Sequence, residues 1–312
     1  MKAAQLTSYG DVDVIVVSSD VEAPTLKDGQ VLVDVYAASL NPFDYKVRRG
    51  YMKDMMPVTF PLTIGGDFSG KVTAVGGGVN HVAIGDDVYG SANTFGGGSG
   101  AFAEVAAAKS GTVAKKPQSA DFINAAALPL VGVSAIQALE DHMKLNSGQK
   151  VLIHGGSGGI GSVAIQLAKA LGAYVATTVS TGQEDFVKAL GADEIIDYKT
   201  QDFGTMLTDF DGVYDTVGGE TYTKSFVVLK KGGTIVTMIE QPDKELDKQH
   251  DVTTIQQSTQ ITNEKLAHLA ALVDAGTIKV QLDKVFSLDQ AKEAFSYLET
   301  GHPKGKVVVA VR

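Results

Sequence analysis

The chain has 312 residues, of which 44% are hydrophobic and 20% are charged, so it can form packed cores, and its length suits two domains better than one. It contains no cysteine, which excludes disulfide scaffolds, thiol nucleophiles and cysteine-ligated metal sites. Its 27 basic and 36 acidic residues give a net charge of −9, which excludes a general nucleic-acid-binding protein because such proteins need a basic face.

Residues 1 to about 124 are predicted to form short strands separated by turns. The candidate strands are residues 31–38, 70–76 and 102–106, and clusters of Gly, Pro, Asn and Asp lie between them. This pattern is typical of a mainly antiparallel β domain.

From residue 125 onward, β-rich runs alternate with helical segments. The runs are residues 151–154, 174–179, 194–197, 212–215 and 234–239. After the first run, apolar residues between Ile160 and Leu171 recur on one face of a helix, and Gly172 marks its end. Strands that alternate with helices predict an α/β domain with a doubly wound parallel sheet.

The last part of the chain is predicted to form a helix followed by a strand. Ser287 and Gln290 form a capping box before an apolar stripe at 291–298, and Gly301 is expected to end that helix. Residues 306–311 are predicted to form a strand. That strand could complete the first domain, in which case the α/β domain is an insertion.

The chain shows no sign of a membrane segment. The longest mostly apolar stretch, Ala125–Ile136, is interrupted by Pro129 and Gly132 and is too short to cross a bilayer. The N-terminal residues lack the pattern of a signal peptide. We expect a cytoplasmic protein that binds neither membranes nor nucleic acid.

A glycine motif follows the first β-rich run of the α/β region. Gly156, Gly158 and Gly161 satisfy G-x-G-x-x-G between that run and the amphipathic helix. Glycines at this spacing permit a tight turn, close approach of backbone N–H groups to a pyrophosphate, and close packing of helix on strand. The motif predicts a Rossmann dinucleotide-binding domain; the alternative is a strand–helix turn without a ligand.

The turn after the second run indicates which dinucleotide is bound. Enzymes that prefer NAD usually carry Asp or Glu there to bind the ribose 2′-hydroxyl. This chain instead has Ser180, Thr181 and Gly182, which can donate hydrogen bonds to a 2′-phosphate. The turn itself has no Lys or Arg, and Lys188 lies on the following helix. The pattern favours NADPH.

Several further segments match one known family in order and spacing. They are residues 41–44 (NPFD), 65–70 (GGDFSG), 85–88 (GDDV), 100–104 (GAFAE), 126–132 (AALPLVG), 190–193 (LGAD), 215–219 (DTVGG) and 305–308 (GKVV). With the glycine motif, they resemble the zinc-independent quinone oxidoreductase branch of the medium-chain dehydrogenase/reductase superfamily, which includes zeta-crystallin-like proteins. The resemblance spans nearly the whole chain.

The resemblance implies two domains and a homodimer. Residues 1–124 and 268–312 would form a GroES-like, mainly β catalytic domain. Residues 125–267 would form the Rossmann NADP-binding domain.

The resemblance also implies which residues face the cofactor. Asn41 and Ser134 match positions near the nicotinamide end, and Val217 and Ile239 match strand ends that line the nicotinamide pocket. The pyrophosphate loop would contribute Gly158, Gly159 and Ile160, and the same motif includes Gly156 and Gly161. The 2′-phosphate region would contribute Ser180, Thr181 and Tyr198.

No metal is expected in the site. In the zinc-dependent relatives of this superfamily, the catalytic metal is held by Cys and His. Here Asn41 stands at the position of the first catalytic Cys, and Gly66-Asp67 stands at the position of His-Glu. His154 adjoins the glycine motif, where it is either a structural strand-end histidine or a catalytic residue.

The resulting hypothesis is an NADPH-dependent oxidoreductase that transfers hydride to a quinone without zinc. The alternatives are a reductase of enal or enone double bonds and a low-turnover NADPH-binding sensor or structural protein. Asn41 and Tyr45 are the candidate catalytic residues. The Tyr45 phenol is either a proton donor or an aromatic wall for a flat small-molecule substrate.

Overall fold

The structure is a computed structural model that describes residues 1–300 and 303–312, so the predicted helix stop at Gly301 lies outside the described residues. The chain forms two compact units. Unit 1 consists of Met1–Leu130, Ile261–Gly276 and Leu282–Arg312, and unit 2 consists of Val131–Gln260 and Thr277–Gln281.

The strands and helices are numbered in chain order. The strands are β1 Ala3–Leu6, β2 Ile15–Ser18, β3 Gln30–Ser39, β4 Leu62–Thr63, β5 Asp67–Val75, β6 Asp87–Ser91, β7 Val105–Lys109, β8 Val113–Lys115, β9 Lys150–His154, β10 Tyr174–Val179, β11 Glu194–Asp197, β12 Phe210–Asp215, β13 Leu229–Thr237, β14 Thr253–Gln256, β15 Leu282–Ser287 and β16 Lys306–Ala310.

The α-helices are α1 Pro42–Arg48, α2 Phe122–Ala126, α3 Pro129–Ile136, α4 Gly159–Ala170, α5 Glu184–Ala189, α6 Phe203–Met206, α7 Glu220–Ser225, α8 Lys244–His250, α9 Asn263–Asp274 and α10 Ala291–Thr300. A π-helical turn, Gln137–His142, continues α3, and short 3₁₀ turns occur at Val12–Val14, Thr94–Gly96, Ser110–Thr112, Phe226–Val228 and Leu288–Gln290.

Unit 1 is the mainly β part of the chain, as predicted. Its larger sheet runs β15-β16-β3-β5-β6-β8, with β7 also paired to β3, and a smaller sheet runs β2-β1-β4. β16 pairs antiparallel with β3, so the C-terminal strand completes this unit and the α/β unit is an insertion. The strands predicted at 31–38 and 70–76 are confirmed, whereas the one predicted at 102–106 is wrong in its bounds, because the strand runs from Val105 to Lys109.

Unit 2 contains the parallel sheet that the alternating pattern predicts. All its strands are parallel, in the order β11-β10-β9-β12-β13-β14, and α4 follows β9 as the apolar stripe predicts. Gly172, the predicted stop of α4, adopts a positive φ of 83°. The strand predicted at 234–239 is β13, which ends at Thr237. The last strand of the sheet, β14, was not predicted from the sequence.

The strand order determines where a ligand can approach unit 2. The chain runs outward from β9 to β11 on one side and returns to β12 on the other, so the order reverses next to β9. In open parallel sheets, ligands bind beyond the carboxyl ends of the strands at such a reversal. The glycine motif directly follows β9 and therefore lies at this point.

The unit boundaries lie a few residues from the predicted domain boundaries of 124/125 and 267/268. Residues 125–130 and 261–267 belong to unit 1, and Thr277–Gln281 belongs to unit 2. Helix α2 packs on β3 and β5, and α9 packs on β8. The hydroxyl of Tyr89, on β6, also donates to the carbonyl of Leu266 on α9 at 2.5 Å. Residues 125–130 and 261–267 therefore belong to unit 1 because of their tertiary packing, which their composition does not reveal.

A search of residues 1–300 and 303–312 finds no helix that is both long and apolar enough to cross a membrane.

Candidate cofactor site

Two of the three motif glycines are required by close packing between β9, β10 and α4. A Cβ atom at Gly156 would lie 2.1 Å from Oγ1 of Thr177, and one at Gly161 would lie 2.3 Å from the carbonyl oxygen of Gly155. Atoms this close overlap, so no larger residue fits without moving the backbone. These glycines let the first turn of α4 rest directly on the end of the sheet.

Gly158 differs from the other two because the space beside it is open. It is the N-cap of α4, with an extended backbone (φ −75°, ψ 175°), and the nearest atom to a Cβ built there is the Gly155 carbonyl oxygen at 3.4 Å. The first N–H groups of a helix have no partner within the helix and attract anions. Gly158, Gly159, Ile160 and Gly161 together form the cap and first turn, and Gly158 leaves room for an anion to approach.

Two exposed apolar side chains follow the strands on the β12 side of this loop. Val217 and Ile239 follow the carboxyl ends of β12 and β13, and both are exposed. A Cβ at Gly155 would lie 3.5 Å from Cγ2 of Val217, and one at Gly218 would lie 2.8 Å from Cγ2 of Ile239. The structure thus brings Val217 next to the loop, whereas Ile239 lies against Gly218 in the segment that follows β12.

The turn after β10 is more acidic than the sequence prediction allowed. The Thr181 hydroxyl donates to Oδ2 of Asp197 at 2.6 Å, and the Gly182 N–H donates to Oε2 of Glu184 at 2.8 Å. The hydrogen bond from Thr181 holds the pKa of Asp197 below its usual range, so this carboxyl is charged. Two of the donors predicted for a 2′-phosphate are therefore already engaged with carboxylates.

Other groups at this turn remain available to a phosphate. The Tyr198 side chain is about half exposed, and its backbone N–H donates to the carbonyl of Val179 at 3.1 Å. The charge of Lys199 also lowers the pKa of Asp197, which places a basic group near the turn. Asp197 was not predicted as a site residue, because it is distant from Thr181 in sequence and comes into contact with it only when β10 and β11 pair.

Ser134 is buried in α3 rather than exposed. Its hydroxyl lies 2.7 Å from Oγ1 of Thr259, and its carbonyl oxygen accepts hydrogen bonds from Tyr214 and Gln257. The hydroxyl therefore has a partner within unit 2, and Ser134 also anchors α3 to the sheet.

Unit 1 contains a buried polar cluster around Asn41, which is 5% exposed. Its Oδ1 accepts a hydrogen bond from Nζ of Lys306 at 2.5 Å, and its Nδ2 donates to Oδ2 of Asp67 at 2.9 Å. Lys306 also donates to the carbonyl of Leu40, and the backbone N–H of Asn41 donates to Oδ2 of Asp44. The amide is therefore held in one orientation, with its carbonyl toward the ammonium group and its NH₂ toward a carboxylate.

Burial controls the charges in this cluster. It raises the pKa of Asp44 to about 7 against the opposing hydrogen bond from Asn41, it raises the pKa of Asp67, and it lowers the pKa of Lys306. Each shift favours the neutral form of its group, and the attraction between Lys306 and the carboxyl groups of Asp67 and Asp44 opposes it. The amide of Asn41 bridges Asp67 and Lys306 by hydrogen bonds, and so satisfies polar groups that would otherwise be very costly to bury.

The same cluster does not suit a divalent metal. The ammonium group of Lys306 lies against Oδ1 of Asn41, where it would repel a second cation. No group of three or more His, Asp and Glu side chains in the described part of the chain could hold a metal ion. Lys306 and Asp44 were not predicted as site residues, although both lie within segments that carry the family resemblance.

Tyr45 lies on α1, three residues after the start of the helix. Its ring packs against the hydrophobic core of unit 1, and burial raises the pKa of its hydroxyl. The phenol is therefore protonated at neutral pH, which suits both roles considered for it.

Comparison with known proteins gives matches over most of the chain. The model of the alcohol dehydrogenase GroES-like domain matches residues 27–118, and that of the zinc-binding dehydrogenase family matches residues 190–309. The chain is 39% identical to 2-methylene-furan-3-one reductase of Solanum lycopersicum, over 99% of this chain and 79% of the relative. The chain belongs to the quinone oxidoreductase branch of the medium-chain dehydrogenase/reductase superfamily.

Two further members of this superfamily support the assignment. The NADPH-dependent alkenal/one oxidoreductase of Arabidopsis thaliana is 35% identical over 99% of this chain and 79% of the relative. The quinone oxidoreductase structure from Coxiella burnetii superimposes with a TM-score of 0.90 and 37% identity, over 100% of this chain and 99% of that one. The predicted family and the two-part α/β fold are thus confirmed.

The raised pKa of Asp44 predicts a pH dependence of stability. The folded protein keeps a proton on Asp44 that the unfolded chain releases near pH 3.9, so this group destabilises the fold as the pH rises from about 4 to about 7. Asp44→Asn keeps an acceptor for the Asn41 N–H but cannot ionise. Urea titration measures the unfolding free energy of both proteins at pH 5 and at pH 8. The difference, variant minus wild type, should be larger at pH 8 than at pH 5 by more than about 1.4 kcal/mol. An equal difference at both pH values would contradict this assignment.

The open space at Gly158 predicts that a charge can be placed there without harming the fold. Gly158→Asp should keep or raise the melting temperature, because Asp is a favourable N-cap residue and its carboxylate complements the helix dipole. The same carboxylate should repel the pyrophosphate and weaken NADPH binding at least about tenfold relative to Gly158→Asn, which adds similar bulk without charge. Calorimetry measures both affinities, and unchanged NADPH affinity in the Asp variant would show that the loop is only a turn.

Proposed function

We propose that this protein is an NADPH-dependent oxidoreductase that transfers hydride to a quinone without zinc. The observation that carries the proposal is the open N-terminus of α4, which lies at the reversal of the parallel sheet. The exposed side chain of Val217 lies beside this loop, and that of Ile239 lies next to Gly218, the residue after Val217. Anion-binding backbone next to an apolar surface suits the pyrophosphate and nicotinamide ends of a dinucleotide.

The residues of unit 2 fit NADPH in three places. Gly158 to Gly161 would hold the pyrophosphate, and Val217 with Ile239 would contact the nicotinamide. Ser180 and Tyr198 would hold the 2′-phosphate, and Thr181 would join them when its hydroxyl turns from Asp197 to the phosphate. The close contacts at Gly156 and Gly161 support the fit, because they bring the backbone of the loop within reach of a phosphate. When bound, NADPH supplies the hydride, and the protein supplies position and a surrounding that excludes water.

Quinones accept hydride readily because the added charge delocalises into an aryloxide, so no metal Lewis acid is needed. The quinone oxidoreductase of Coxiella burnetii, at 37% identity, supports this substrate class. Unsaturated carbonyl compounds, which form an enolate, are the second candidate. They are favoured by the reductase of Solanum lycopersicum and the alkenal/one oxidoreductase of Arabidopsis thaliana.

Unit 1 would supply the groups that meet the substrate. Asn41 has a fixed amide whose remaining N–H can donate a hydrogen bond, and Tyr45 has a phenol that stays protonated. We assign Asn41 to orientation and Tyr45 either to proton donation or to an apolar wall. A homodimer and a cytoplasmic location stay predictions, which light scattering and cell fractionation would check.

The substrate class can be tested by following NADPH absorbance with a quinone and with an enone, each with and without a chelator. We expect steady NADPH oxidation, a higher kcat/KM with the quinone, and no loss of rate on chelation, since no group of three or more His, Asp and Glu side chains among the described residues could hold a metal ion. A higher kcat/KM with the enone would favour the second candidate. Binding of NADPH without turnover on either substrate would indicate a sensor or structural protein, and one equivalent of zinc whose removal abolishes activity would refute zinc independence.

Cofactor choice can be tested at the turn after β10. The Ser180 hydroxyl can donate to a 2′-phosphate, and a hydrogen bond to a charged group contributes about 1.5–3 kcal/mol, so NADPH should be preferred by roughly tenfold or more. Ser180→Asp should reverse this preference by repelling the phosphate and accepting from the 2′-hydroxyl of NADH. Ser180→Ala, which loses the donor without adding charge, should fall between. Equal kcat/KM for the two cofactors in the wild type would contradict this role of the turn.

A further inference from the structure

His154 is a fully buried histidine at the last position of β9, immediately before the glycine loop. Its ring stands edge-on to Phe203, with the ring centroids 4.7 Å apart. Burial lowers the pKa of His154 to about 3, so the imidazole is neutral at physiological pH. A neutral imidazole has one N–H donor and one acceptor nitrogen, and its neighbours determine which is which.

The hydrogen bonds around His154 select one tautomer. The Ser225 hydroxyl donates its only proton to the carbonyl of Thr221 at 2.6 Å, so its oxygen accepts from Nε2–H of His154 at 3.0 Å. The proton therefore lies on Nε2, and Nδ1 is the acceptor. The Thr178 hydroxyl, 3.0 Å from Nδ1, must then donate its proton to the ring.

Thr178 connects this chain of hydrogen bonds to the glycine loop. Because its hydroxyl proton points to His154, its Oγ1 lone pairs face outward and accept from the Gly155 N–H at 3.4 Å. Its carbonyl oxygen also accepts from the Gly156 N–H at 3.1 Å. Thr178 pairs in register with His154 across β9 and β10, so all three groups are held at one level of the sheet.

We propose that His154, acting through Thr178, is a positioning residue that sets the Gly155–Gly156 backbone for dinucleotide binding. The proposal rests on the NADPH-binding function proposed above. The imidazole acts as a directional link: its acceptor nitrogen orients the Thr178 hydroxyl, and that hydroxyl then presents an acceptor to the loop. The ring is fully buried and its hydrogen-bond partners are protein hydroxyls, so we assign it a positioning role and not a catalytic one.

The two sides of the imidazole provide a matched pair of variants. Thr178→Val removes the hydroxyl on the loop side, and Ser225→Ala removes the hydroxyl on the far side; each leaves one ring nitrogen without its partner. Both should lower the melting temperature. Only Thr178→Val should raise the Kd for NADPH, by about tenfold, while Ser225→Ala should change it by less than about twofold. Thr178→Ser, which keeps the hydroxyl, should restore the wild-type Kd.

A second ligand separates loop positioning from general loosening of the domain. Adenosine 2′-monophosphate has no pyrophosphate and so does not need the glycine loop. Its Kd should be unchanged in Thr178→Val, whereas the Kd for NADPH rises.

Substitution of His154 itself gives an independent check. His154→Asn places an amide oxygen near the position of Nδ1 and keeps an acceptor for Thr178, whereas His154→Gln places an amide near Nε2 and loses that acceptor. The Gln variant should bind NADPH more weakly than the Asn variant.

Two results would overturn the inference while leaving the proposed function intact: an unchanged NADPH Kd in Thr178→Val, or equal increases in Thr178→Val and Ser225→Ala. A wild-type protein that does not bind NADPH would instead overturn the proposed function, and this inference with it.

Discussion

The structure of unit 2 depends on one close contact, in which the first turn of α4 lies directly on the end of β9. The Gly155 carbonyl oxygen occupies the space that a side chain at Gly161 would need. This contact fixes the direction of the helix and therefore the direction in which its free N–H groups point. The anion binding proposed for the loop would thus be a consequence of packing, and Gly158, where no such contact exists, has open space beside it.

Polar groups are buried in both units, and in each the arrangement leaves a single orientation. In unit 2 the neutral ring of His154 lies between two hydroxyls, and in unit 1 the amide of Asn41 lies between Asp67 and Lys306. A buried polar group without a partner is costly, so alternative orientations are strongly disfavoured. Side chains held in this way can orient a neighbouring backbone or substrate without having to be reordered when a ligand binds.

The acidic surroundings of the turn after β10 qualify the preference for NADPH. Asp197 accepts from Thr181, and Glu184 accepts from the Gly182 N–H, so a 2′-phosphate bound here as proposed would compete with carboxylates that are already present. Lys199 offsets part of this negative charge. Discrimination between the two cofactors is therefore a balance among several groups and is weaker than an Arg in the turn would provide.

The sequence by itself determined the family, the alternation of strands and helices, and the location of the glycine loop, because periodicity and glycine spacing are local properties of the chain. It did not predict β14, whose sequence TTIQ contains a single apolar residue, or the bounds of β7, whose short apolar run does not by itself define a strand. Only the tertiary structure decided that Lys306 lies against Asn41 and Asp197 against Thr181. These contacts join residues that are distant in sequence or lie on different strands, and strand pairing and burial, rather than local pattern, bring them together and set their charges.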